Sequence, residues 1–135
     1  MTYGAQTWSL TVKQNNKIRV CQRAMERSML KISKRHRIRA TLIRQKTGVT
    51  DAIKLSKSLK WKWAGHVIRK VHDPWDKTTT VWLPREGRRN RGRQRTRWRE
   101  EIVSFTGPTW TRQALDRTRW KELGEAFAQQ WDSSS

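Results

Sequence analysis

Acidic residues are scarce in this chain: 11 Asp and Glu stand against 31 Lys and Arg, for a net charge of +20 and a pI near 11.6. A surface that neutralises itself is thereby excluded, because so large an excess lies far beyond the few net charges of an ordinary small domain. Such a chain seeks polyanions. Cysteine is nearly absent. The lone Cys21 excludes an internal disulfide and a cysteine-rich zinc site, and points to a reducing compartment. No run approaches the ~20 apolar residues of a membrane span. The opening "MTYGAQTWSL" has no basic start followed by an apolar stretch, as a secretory signal would. Nuclear or cytoplasmic residence is expected, with no membrane partner.

Catalytic patterns are missing too. His36, His66 and His72 are scattered and do not make a knuckle or finger spacing, so no metal site is expected. There is no Gly-rich phosphate loop and no Ser/His/Asp arrangement. Glu100 and Glu101 are adjacent, hence splayed on a helix, where paired acid and base work needs convergence; they read as helix-start acids. The residues offer binding rather than turnover. No enzyme activity, cofactor or small-molecule substrate is expected.

Aliphatic residues are few as well. Leu, Ile, Val and Phe number 24 of 135, about 18%, a share that with this charge suits disorder. Nine tryptophans argue the other way. Each can bury on the order of 200 Å², so Trp61, Trp63, Trp98 and Trp120 can supply the core that the aliphatics withhold.

The spacing predicts a mainly α fold, a small helical bundle interrupted by an exposed arginine-rich loop. Residues 1–10 are an apolar start with no local cover. From Val12 to Ile32, Ile18, Cys21, Met25, Met29 and Ile32 recur in steps of three and four, predicting a core-facing stripe, with Thr11 as cap. After "KRHRIR", Ile38, Leu42 and Ile43 suggest a short helix stopped by Gly48. Thr50 can cap the longest helix, Asp51 to about Arg69, with Ala52, Leu55, Leu59, Trp63 and Val67 as its stripe. His66 reads as packed at a tight crossing, where Ala64 and Gly65 let backbones approach. Asp73 and Pro74 open a turn or two carrying Trp75 and Trp82, although β-branched "TTTV" opposes helix. Helical region 11–83 gives way to an Arg-rich loop over 84–97. Helices resume over 98–131, with Asp116 capping the last, whose Trp120, Leu123, Phe127 and Trp131 share a side. Residues 132–135 fray. No strand pattern and no internal repeat is evident.

The loop "REGRRNRGRQRTRWREE" has arginine at every odd position from Arg89 to Arg99. In an extended chain, alternate side chains point the same way at ~6.6 Å intervals, close to the spacing of phosphates along a stretched nucleic-acid strand. Guanidinium groups grip phosphate with paired hydrogen bonds, and Gly87 and Gly92 let the loop follow its ligand. The expected nucleic-acid contacts are Arg85, Arg88, Arg89, Arg91, Arg93, Arg95, Arg97 and Arg99, joined by Lys34, Arg35, Arg37 and Arg39. Trp98 can stack on a base or pack in the core. Lys57, Lys60, Lys62, Arg69 and Lys70 can widen the basic surface. A charge run is also what a solvated linker or nuclear-import signal looks like.

The segments "TYGAQTWSLT", "MERSMLKISKRHRIR", "LKWKWAGHVIRK", "HDPWDKTTTVWLP", "GRRNRGRQRTRWREEI" and "DRTRWKELGEAFAQQW" together resemble the C-terminal portion of non-long-terminal-repeat retrotransposon reverse transcriptases, RTE-like in kind. The order of "WAGH", then Gly-Arg-x-x-x-Arg-Trp at Gly92 to Trp98, then "DRTRW" carries the resemblance. Gln94 stands where the family commonly has proline. The resemblance implies a chain that begins past the catalytic palm, as the end of a thumb region plus a basic tail. It lacks the family's Tyr-x-Asp-Asp element and so lacks polymerase activity. It also implies a role in holding RNA or DNA, with the upstream polymerase domain as a further partner. Two alternatives remain: a structural segment docking on that polymerase, and a small metal-dependent nuclease using Asp73 and Asp76 with Lys77.

Overall fold

Two tryptophans, 59 residues apart, organise the molecule. A computed structural model describes residues 3–70, 74–82 and 97–131. Among them the chain forms a 3-10 turn Ala5–Thr7, then α1 (Val12–Met29), a second 3-10 turn Lys34–His36, α2 (Ala40–Thr47), α3 (Ala52–Arg69), α4 (Pro74–Val81), α5 (Glu100–Thr106), α6 (Trp110–Gln113) and α7 (Arg117–Gln129). The class is mainly α, with no strand among the described residues, and no helix among them is long and apolar enough to cross a membrane.

Several helix ends follow local chemistry. Thr11 accepts from the Gln14 amide while the Gln14 side chain accepts from the Thr11 amide at 2.8 Å, a reciprocal cap. Gly48 closes α2 at φ 64°, a left-handed position where a Cβ is strained. Asp116 caps α7 through the amides of Thr118 and Arg119. The cap of α3 is Asp51 rather than Thr50, accepting from Ile53 and Lys54; a carboxylate at a helix start also gains from the dipole. The β-branched run is helical in α4 all the same, with the Thr79 and Thr80 hydroxyls donating back to the Trp75 and Asp76 carbonyls.

The core lies where α7 runs antiparallel to α3. Trp61 and Trp120 stack at 4.0 Å between centroids, and each indole N–H donates to the other residue's carbonyl, at 2.7 and 3.0 Å. Each ring also covers the partner helix's glycine. A Cβ on Gly124 would stand 2.6 Å from Trp61, and one on Gly65 2.4 Å from Trp120. The same spacing, Trp61 to Gly65 and Trp120 to Gly124, thus meets itself across the crossing, an internal correspondence that apolar periodicity does not register. A mid-helix glycine costs ~1 kcal/mol relative to alanine. Burying an indole of ~200 Å² returns about 5 kcal/mol, so the exchange favours the crossing. Phe127, Ile102, Trp110, Ala114, Ala64 and Ile68 complete this cluster.

Two expected stripes are displaced. In α1, Cys21, Met25 and Met29 face solvent, and the buried residues are Asn15, Gln22 and Glu26. In α3, Val67 is buried as expected and Ala52, Leu59 and Trp63 are half-buried, but Leu55 is exposed and Ile53, Trp61, Ala64 and Ile68 are buried, because α7 approaches from one side of the forecast stripe. His66 is exposed although Gly65 does sit at a tight crossing.

Candidate nucleic-acid interface

Arg85, Arg88, Arg89, Arg91, Arg93 and Arg95 lie outside the described residues, as do Asp73 and the tail 132–135. The residues on either side of the arginine segment are anchored. On the incoming side α4 ends with Val81, whose carbonyl accepts from Arg99 Nη1 at 2.9 Å. On the outgoing side the Arg97 amide donates to Glu100 Oε2 at 2.9 Å. Arg99 therefore ties the two feet of the segment together, and Arg97 and Arg99 are both half-buried.

Trp98, between them, is half-buried. Its ring N–H donates to the Gln6 carbonyl at 2.7 Å, and its ring meets Trp63 edge-on at 5.1 Å. Lys60 Nζ sits 5.1 Å from the ring centroid. The indole thus pins the 3-10 turn and the α5 entrance onto α3, and its polar edge is already in use.

The second expected group is set on one exposed turn between α1 and α2. Ser33 caps it through the Arg35 amide, His36 Nδ1 accepts from the Ser33 amide at 3.1 Å, and Arg37 adopts φ 49°. Lys34, Arg35, Arg37 and Arg39 all face solvent there. Their charges are packed within six residues and repel one another, a cost that a polyanion would relieve.

Not every basic residue on α3 serves a surface. Lys57 and Lys60 are buried, and their ammonium groups take the two oxygens of Glu101 at 2.6 and 2.7 Å. Lys57 also sits over the Trp131 ring at 4.4 Å. Burial pulls the Lys60 pKa below its ordinary value, against the opposing pull of Glu101. Glu101, expected merely to start a helix, is the counter-ion of a buried two-lysine cluster. Lys62 is exposed, and Lys70 pairs with Asp76 at 2.8 Å on the surface. Sequence reasoning passed over Arg117 and Lys121, exposed at successive turns of α7; their spacing of four was the available signal.

Of the acid and lysine set named for a nuclease, Asp76 is paired with Lys70 on the surface, Lys77 is exposed, and Asp73 lies outside the described residues. No group of three metal-ligating side chains occurs among the described residues.

No family model matches the chain, and no solved structure matches it. It is similar to a putative uncharacterized transposon-derived protein of Caenorhabditis elegans, 29% identical over 133 aligned residues that cover 89% of this chain and 48% of that protein. The chain spans about half the length of the curated relative it matches, and the likeness points to an origin in a transposable element.

Proposed function

We propose that the chain is a non-catalytic nucleic-acid-binding portion of a retrotransposon-encoded reverse transcriptase, gripping RNA or DNA phosphates through the segment Arg85 to Arg99 and the turn Lys34 to Arg39. The observation that carries this reading is that 12 of the 31 Lys and Arg fall in two short runs, Arg85 to Arg99 and Lys34 to Arg39, the second of them solvent-facing. The similarity to a transposon-derived protein supports the element of origin, and the resemblance of the "WAGH", Gly92 to Trp98 and "DRTRW" segments supports the reverse-transcriptase relation. Phosphate contacts position a ligand without reading bases, so binding is expected to be indifferent to sequence.

The test is the salt dependence of duplex DNA binding. About six engaged arginines give a slope of log affinity against log salt near −5, and replacing Arg89, Arg91 and Arg93 by Gln flattens it by roughly 2 to 3 units. An unchanged slope rejects the loop. A second reading, docking onto a polymerase domain, is favoured by the exposure of Trp75 (75%) on α4 and of Trp82 (65%) just after it. It predicts a folded chain that shows no salt-dependent binding to nucleic acid.

A further inference from the structure

A groove of about 620 Å³ runs between α3 and α7 on the face where their antiparallel crossing opens. Its α3 wall carries Lys54, Ser58 and Lys62 at successive turns, with Arg69 further along, and its α7 wall carries Arg117 and Lys121. Glu125 is the single acid in the lining, so five cations face one anion. Lys62, Arg117 and Lys121 are exposed and form no ion pair with a carboxylate among the described residues. At the far end Arg69 is held by the Ala114 carbonyl, and burial together with the charge of Arg117 lowers its pKa from the usual arginine value. Two guanidinium groups that repel one another in the empty groove are relieved by an anion between them.

The floor beneath these cations is apolar: the edges of Trp61 and Trp120 with Leu55 and Ala128. Four helical residues rise about 6 Å, so Lys54 and Lys62 stand ~12 Å apart with Ser58 between them, a regular ladder of the kind a phosphodiester backbone meets. The volume lies within the range of pockets for small ligands, which suits a short length of one strand. An acidic peptide presents carboxylates at irregular reach.

We propose that this groove holds the backbone of a single-stranded nucleic acid, along a track separate from the arginine segment. The two rings on its floor are 2 and 3% exposed because they stack on each other. They offer no face to a base, so the track is indifferent to base identity.

The experiment measures anisotropy of a labelled 12-residue oligodeoxythymidylate over a range of salt, using the whole chain. The groove variant carries Lys62→Gln, Arg117→Gln and Lys121→Gln; all three residues are exposed, and an unchanged near-ultraviolet circular dichroism band from the stacked indoles checks the fold. Loss of three single-strand contacts flattens the slope by about 2 units, and the same loss is expected when Arg89, Arg91 and Arg93 are already Gln. A matched variant at exposed Lys13, Lys17 and Lys46, away from the groove, is expected to change it less. The proposal is overturned if the groove and matched variants lose the same slope, if the groove variant loses none, or if a polyglutamate peptide displaces the strand at lower concentration than unlabelled strand does. A loop variant without effect, beside a groove variant with one, rejects the arginine segment and leaves the groove standing.

Discussion

The two ends of α3 are held by opposite means. Its C-terminal half is clamped by aromatic surface: Trp61 against Trp120, Phe127 and Phe105, with Ala64 and Ile68 beneath. Its N-terminus is clamped by polar groups from α1 and α2. Gln22 accepts from the Ala52 amide at 2.8 Å and donates to the Thr50 carbonyl at 2.9 Å, while Arg44 bridges Asp51 at 2.8 Å and Glu26 at 3.4 Å. The aromatic clamp gains from every Å² removed from water. The polar clamp exchanges hydrogen bonds with water for hydrogen bonds within the protein, at a net gain of only ~1 kcal/mol each. It also leaves Glu26 Oε2 buried without a hydrogen-bond partner. A chain short of aliphatics can therefore be stable in one half and merely specific in the other.

The largest effect is expected at the aromatic clamp. Trp61→Ala removes the ring that covers Gly124 and the hydrogen bond to the Trp120 carbonyl, and should lower stability by about 4 to 5 kcal/mol in urea denaturation. Since small domains are stable by only ~5 to 15 kcal/mol in all, little of the fold would remain. Gly124→Ala, which adds one methyl against the same indole, should cost about 1 to 3 kcal/mol. A loss below 1 kcal/mol for Trp61→Ala would show that the crossing is not what stabilises this half.

Between the two clamps, the buried Lys57, Lys60 and Glu101 cluster separates charge balance from packing. Glu101→Gln leaves two buried ammonium groups without a counter-ion and should cost about 3 kcal/mol. Lys60→Met leaves a one-to-one pair of Lys57 with Glu101 and keeps the stem volume, so stability should be unchanged or higher. The pH dependence carries the same information. Because the folded Lys60 pKa lies below 10.5, the unfolded chain binds more protons in the window just beneath that value, and stability should rise with pH there. Lys60→Met should remove that rise; its persistence would assign it to another group.

Helix ends were largely legible in the sequence: Thr11, Gly48 and Asp116 act as their side chains, or the lack of one, dictate, while at α3 the cap is Asp51, one residue past the expected Thr50. Helix faces were less so, because a face is chosen by the partner across it. Lys57 and Lys60 read as surface charges until Glu101, 44 and 41 residues away, comes to meet them. The pairing of Trp61 with Gly124 and of Trp120 with Gly65 was hidden for the same reason, since a glycine carries no hydropathy signal and its use depends on which ring arrives. As to the interface, the basic runs were visible as composition, and the turn from Lys34 to Arg39 is exposed. The groove was not visible, because its cations come from two helices that become neighbours only when α7 folds back on α3.

The sharpest contrast between the two halves is also the smallest predicted effect. Met25 lies on the apolar stripe that periodicity assigns to the core, yet it is 42% exposed, and the next residue, Glu26, is 1% exposed. A helix turns ~100° per residue, so neighbours in sequence face different sides, and here the side turned inward is the one whose groups can bond Arg44 and the start of α3. The apolar gain from burying Met25 would be about 2 kcal/mol. Turning α1 to obtain it would break the Gln22 clamp and leave Arg44 with Asp51 alone. Met25→Gln should therefore change stability by no more than ~0.5 kcal/mol, as at an ordinary surface position, whereas Gln22→Ala should cost about 1 to 2 kcal/mol by freeing the Ala52 amide and the Thr50 carbonyl. If the order of the two were reversed in the same denaturation assay, α1 would be seated by its methionines and the polar clamp would be incidental.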